Sequence, residues 1–192
     1  MGTTTGVVLV LNFICISVGI AGIVAGAIGH SWWRSENSVE KTEIGLWRSC
    51  VTLLSSDDTS CGTSREDVLK FDPEFKDNKN SDILLVLLIG AGFFGVCALI
   101  TSAAMFCCQN KRTGWLCGSI LVICNTLLAA GATLACLIYA ELEIKWDSST
   151  RGWSVIATWI GLGMFVMSFT LSIIGACLIP SSTNGGSMKY TY

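Results

Sequence analysis

Gly45-Leu46-Trp47-Arg48-Ser49-Cys50, with Cys61 following, stands in the one long polar stretch of the chain. The other eight cysteines, Cys15, Cys97, Cys107, Cys108, Cys117, Cys124, Cys136 and Cys177, fall inside or at the ends of long apolar runs. A single cysteine pair in polar sequence proposes a disulfide, and a disulfide requires an oxidising compartment. Closing a loop of this size is worth about 3 kcal/mol on the chain-entropy model. Two alternatives use the same residues: a pair of free thiols, or half of a zinc site. A four-coordinate zinc needs two further ligands, and His30 is the sole histidine of the chain.

On either side of that stretch the sequence turns apolar. Of 192 residues, 52% are hydrophobic and only 14% charged, where a soluble domain carries about 25% charge. Residues 7–28, 83–107, 115–140 and 154–179 form four runs without Asp, Glu, Lys, Arg or His. Each matches the roughly 20 residues a helix needs to cross a hydrocarbon core about 30 Å thick. An ionised side chain at mid-bilayer would cost on the order of 3 kcal/mol, so these runs predict four transmembrane helices. Between them lie a first loop, 29–82, a second loop, 141–153, and a tail, 180–192. The first run exceeds the apolar core of a secretory signal and lacks a basic flank, which predicts an uncleaved first span. Met1–Gly6 has Gly6 where a myristoylation motif wants Ser or Thr.

Four spans place both termini on one side. All 14 acidic residues lie in the two loops. The first holds 11 acids against 7 bases, a net of −4; the second holds 3 against 2, a net of −1. The positive-inside rule counts Lys and Arg only. By that count the two loops hold nine bases and the opposite side three, which argues against a disulfide outside. The short connection between spans two and three, with Lys111 and Arg112 as its only charges, argues the other way. The cysteine pair decides for termini in the cytoplasm and loops outside.

Helices in lipid associate by close packing at small residues. Gly19, Gly22, Gly26 and Gly29 form one stripe, and Ala91, Gly95, Gly161, Ser168 and Ser172 extend the pattern to other spans. The stripes suit packing within one bundle or a dimer face. Asn125 is the most deeply placed amide and calls for an interhelical hydrogen bond; Asn12 lies nearer an end. With no ionisable group in any span, coupled ion transport through the bundle is excluded as the expected role.

The first loop is too long for a plain connection. Residues 42–51 alternate in part, with Ile44, Leu46 and Cys50 on one face, and predict a strand. Residues 31–34 form a second candidate. Residues 65–71 predict a third strand or a helical turn, and 77–81 a flexible approach to span two.

Four spans, a long first loop, an early tryptophan, Gly-Leu-Trp-x-x-Cys and a second Cys resemble the claudin superfamily. The residues carrying this motif are Trp33 (or Trp32), Gly45, Leu46, Trp47, Cys50 and Cys61. The superfamily embraces claudins, peripheral-myelin and epithelial-membrane proteins, and calcium-channel gamma-like auxiliary subunits. The resemblance implies a membrane all-α four-helix transmembrane bundle with a small extracellular antiparallel β-sheet and the two cysteines bridged. Two departures from claudins are a shorter stretch between Trp33 and Gly45 and an ending Lys189-Tyr190-Thr191-Tyr192 in place of Tyr-Val. Arg48 is similar to the channel-auxiliary branch.

The function this implies is a claudin-like cell–cell junction protein at the plasma membrane, forming or regulating a paracellular barrier or adhesion contact. The alternative is an auxiliary subunit of an ion channel or receptor. Expected partners are membrane lipids, copies of the chain in cis and in trans, a cytoplasmic scaffold at the C-terminus, and a channel or receptor under the alternative; nucleic acid is not one. The net charge of the first loop favours cations near it. Cys107 and Cys108, beside Lys111 and Arg112, are candidate sites of lipidation. Trp47 fits a membrane-interface anchor. No catalytic constellation, cofactor or metal cluster is visible, so an enzyme is not expected.

Overall fold

The computed structural model describes residues 3–36, 39–47, 49–56, 58–62, 80–107, 112–143 and 150–177. Four helices dominate: α1 (Thr3–Ile28), α2 (Asn80–Cys107), α3 (Arg112–Glu143) and α4 (Trp153–Cys177). All four are long and apolar enough to cross a membrane. Large apolar side chains cover their outer surfaces, among them Val10, Ile14, Phe93, Leu127 and Ile160. Helices apolar all round need burial or lipid. The chain is therefore a multi-pass membrane protein.

The helices close a ring. α1 packs chiefly on α4 and α2 chiefly on α3, while α3 meets α4 and α1 meets α2. Phe165 of α4, fully buried, sits between α1 and α2. A methyl placed on Gly19 of α1 or Gly95 of α2 would lie 3.0 Å from its ring. The absent Cβ atoms are what let one large ring enter the gap between three helices. At Gly22 an added Cβ would lie 2.8 Å from the Ala157 carbonyl oxygen and 2.9 Å from the Gly161 backbone. At Gly26 and Gly29 it would collide with Thr158 and Ser154. The α1 glycine stripe thus packs inside the bundle, against α4. Gly131 and Gly163 have nothing within 4 Å of such a Cβ and take no part in this packing.

The buried interhelical amide is Asn12, not Asn125. Ser168 donates from its hydroxyl to Asn12 Oδ1 across α4 and α1 at 2.5 Å. Asn12 is 4% exposed, whereas Asn125 is only half-buried. Distance along an apolar run does not say which way a residue faces; the helix rotation does.

α3 spans 32 residues, about 48 Å at 1.5 Å per residue, well beyond a hydrocarbon core of about 30 Å. Its last turn reaches the level of a five-stranded antiparallel sheet. The strands are β1 (Trp33–Glu36), β2 (Glu40–Ile44), β3 (Ser49–Leu53), β4 (Asp58–Gly62) and β5 (Thr150–Arg151), in the order β4-β3-β2-β1-β5. The expected single strand over 42–51 is a hairpin: β2 ends at Ile44, Gly45-Leu46-Trp47 turns the chain, and Thr42 pairs with Val51. Alternation continues across the turn, so polarity alone does not reveal the reversal. Of the expected flexible approach over 77–81, Asn80 and Ser81 belong to α2, and 77–79 lie outside the described residues. The expectation for residues 65–71 lies outside the described residues.

Candidate functional site

Cross-strand partners share a face and successive residues alternate, so the register sorts the sheet. One face carries Arg34, Glu36, Lys41, Glu43, Cys50 and Cys61. The other carries Trp33, Glu40, Ile44, Val51, Leu53 and Asp58.

Cys50 and Cys61 are direct partners in the β3–β4 pair and are disulfide-bonded, with their Cα atoms 4.1 Å apart. Such closeness belongs to the narrower of the two antiparallel pairings, where side chains approach most. Cys50 is buried and Cys61 exposed. Around this bridge the charges pair off. Lys41 Nζ lies 2.7 Å from Glu43 Oε1, His30 Nε2 lies 3.3 Å from Glu43 Oε2, and Arg34 Nη2 donates to Glu36 Oε2 at 2.7 Å. His30 therefore serves as a polar neighbour of the sheet; among the described residues no cluster of His, Cys, Asp and Glu could hold a metal ion. Ion pairs that solvent reaches contribute about 0–1 kcal/mol each, so the strand pairing, the bridge and the packing hold this sheet.

The opposite face has two ends. At the bundle end Ile44 is 2% exposed and Trp33 packs on the core. At the outer end Glu40, Val51, Leu53, Asp58 and Ser60, with Thr59 of the edge strand, line a recess of about 360 Å³. In register, Glu40 pairs with Leu53 and Leu53 with Asp58, so two carboxylates flank one leucine across three strands.

The sheet is seated on the helices by Ser31 and Trp32. The Trp32 indole is fully buried and its Nε1–H donates to the Gly26 carbonyl at 2.6 Å. That carbonyl lies in the last turn of α1, where backbone acceptors lack helical partners. The Trp32 amide donates to Ile44 of β2 at 2.8 Å. The Gly152 amide donates to the Trp32 carbonyl at 2.9 Å, and the Ser154 amide to the Ser31 carbonyl at 3.1 Å. Two residues thus satisfy backbone groups at the end of α1, at the start of α4 and in the sheet. Gly152 permits this closeness, because a Cβ there would overlap the Ser31 carbonyl. Trp32→Phe removes the donor and shrinks a fully buried ring; it is expected to lower stability by about 2 kcal/mol, measured by thermal unfolding of the purified protein in detergent.

The motif expected from sequence divides between seat and surface. Trp33 is half-buried in β1, and the enclosed indole is that of its neighbour Trp32. Gly45 and Leu46 are half-buried in the β2–β3 turn, and Trp47 is 53% exposed there. Cys107 is the last residue of α2. Arg48, Cys108 and the tail 180–192 lie outside the described residues. Two contributors had little signal in the sequence. β5 is two residues long, and it pairs Arg151 with Trp33 while Arg151 donates to Glu141 of α3 at 2.9 Å. The Gly152-Trp153-Ser154 junction hints at a close approach only through its glycine.

A four-helix membrane bundle bearing a disulfide-stapled antiparallel sheet defines a class of tetraspan proteins. The chain matches the PMP-22/EMP/MP20/Claudin family over residues 5–176 and belongs to that family. No match is found among curated proteins.

Proposed function

We propose that the protein is a claudin-like cell–cell junction component of the plasma membrane. Its sheet faces the extracellular space, both termini are cytoplasmic, and copies meet in cis and in trans to form or regulate a paracellular barrier or adhesion contact. The observation that carries this is the sheet itself: bridged, fixed to three helices, and standing at the end of the apolar bundle with a recess at its outer end. Such a rigid platform suits contact with another macromolecule. Freeze-fracture imaging after expression in cells that lack junction strands tests the reading. Strands at cell contacts together with raised transepithelial resistance are the expected result. Absence of both, with co-purification of a channel or receptor at fixed stoichiometry, assigns the auxiliary-subunit role instead.

Glu40 and Asp58 at the recess, within a loop of net charge −4, favour cations along that face. Dilution potentials across expressing monolayers are expected to show sodium preferred over chloride, with the ratio falling toward one in Glu40→Gln/Asp58→Asn. A chloride preference in the parent contradicts this.

Cys107 and Cys108 are the proposed acylation sites, in keeping with their place beside the basic connection. Acyl-exchange labelling is expected to detect hydroxylamine-sensitive modification in the parent and to lose it in the Cys107→Ser/Cys108→Ser variant. The tail 180–192 is the proposed contact for a cytoplasmic scaffold.

A further inference from the structure

Among the described residues, the bundle has a second polar feature at the end away from the sheet. There all four helices line a partly open cavity with about 20 Å³ of room, bordered by Asn12, Met105, Trp115, Ser119, Val122 and Ser172 among others. Asn12, Trp115, Ser119 and Ser172 are each more than nine-tenths buried. Their hydrogen bonds are incompletely met. Asn12 uses Oδ1 to accept from Ser168, and Ser172 donates to the Ser168 carbonyl at 2.8 Å. The Trp115 Nε1–H is buried with no acceptor.

An orphaned buried donor costs about 1–3 kcal/mol, and in a bilayer no bulk solvent relieves it. The groups at this cavity are complementary to one small molecule that both donates and accepts. Trp115 offers a donor, the Asn12 amide offers two, and Ser119 and Ser172 offer hydroxyls with free lone pairs. A cavity needs roughly 10–15 Å³ of such volume, and two to four polar partners, to hold a water. This one meets the size condition for one water. Val8, Leu9, Met105, Val122 and Leu171 supply its apolar lining, and an alkyl chain seated there would strand the polar groups. We propose that this cavity is the binding site of a single ordered water, which accepts from Trp115 Nε1–H and links α1, α3 and α4 at the sheet-distal end.

The test is NMR of the full chain in nanodiscs of deuterated lipid, with ¹⁵N-indole tryptophan and the Trp115 signal assigned by Trp115→Phe. The expected result is a cross-peak between the Trp115 indole proton and water. A cross-peak to protein methyl groups with none to water overturns the proposal. Ser119→Val supplies an independent arm, because it fills the cavity and removes a hydroxyl. With a water present, the variant loses the cross-peak and its folded-to-unfolded ratio drops about tenfold, in line with the orphan cost. If the cavity is dry, filling it raises that ratio, and the proposal fails. A variant that does not fold leaves the parent spectrum to decide.

Discussion

Replacing Cys50 or Cys61 by Ser is expected to remove about 3 kcal/mol of stability from the sheet, by the loop-closure entropy of an 11-residue separation. The effect should be local at first. The β3–β4 pair is the part of the sheet farthest from β5 and the helix ends, joined to the rest through β2. The bundle, held by its own glycine and phenylalanine contacts, does not depend on the bridge. Hydrogen exchange in the Cys50→Ser/Cys61→Ser variant should therefore show faster exchange in β3 and β4 while α1 and α4 keep parental protection. Under the proposed function, contact strands should be lost although the protein still inserts. Equal loss of protection in the helices would mean that bundle and sheet unfold as one unit.

Gly22→Leu is expected to cost about 3 kcal/mol or more, the upper range for overpacking. The Cβ alone would come within 2.9 Å of Ala157 and Gly161 backbone atoms. Backbone cannot rotate aside as a side chain can, so α1 and α4 must separate. Gly163→Ala is the control on α4. It has open space around the new methyl and gains up to about 1 kcal/mol of helix propensity. Thermal unfolding in detergent should move the two variants in opposite directions. Similar behaviour of both would show that the α1–α4 approach is looser than the packing requires.

The four helices were legible because the bilayer permits so few solutions: long runs without one charge have nowhere else to go. The cysteine pair was legible because its polar surroundings set it apart from eight others. Facing was harder to read. Trp32 and Trp33 are adjacent and identical, yet one is enclosed on the α1 end and the other lies along β1. The choice follows from where α1 stops, at Ile28, and how the chain swings after it. Asn12 over Asn125 is the same problem on a helix. The β2–β3 turn was hidden because Ile44, Leu46 and Cys50 keep the rhythm of one strand. β5 had too few residues for any rhythm, and only the fold brings Arg151 beside Trp33.

That last pairing has a practical consequence for domain exchange. The platform is encoded discontinuously: most of it precedes α2, but its terminal strip and the glycine that lets the chain pass Ser31 come from just before α4. A chimera that grafts residues 29–82 alone onto a relative would join a transplanted sheet to a foreign hem. Grafts that carry 150–154 along with it should be the ones that fold intact.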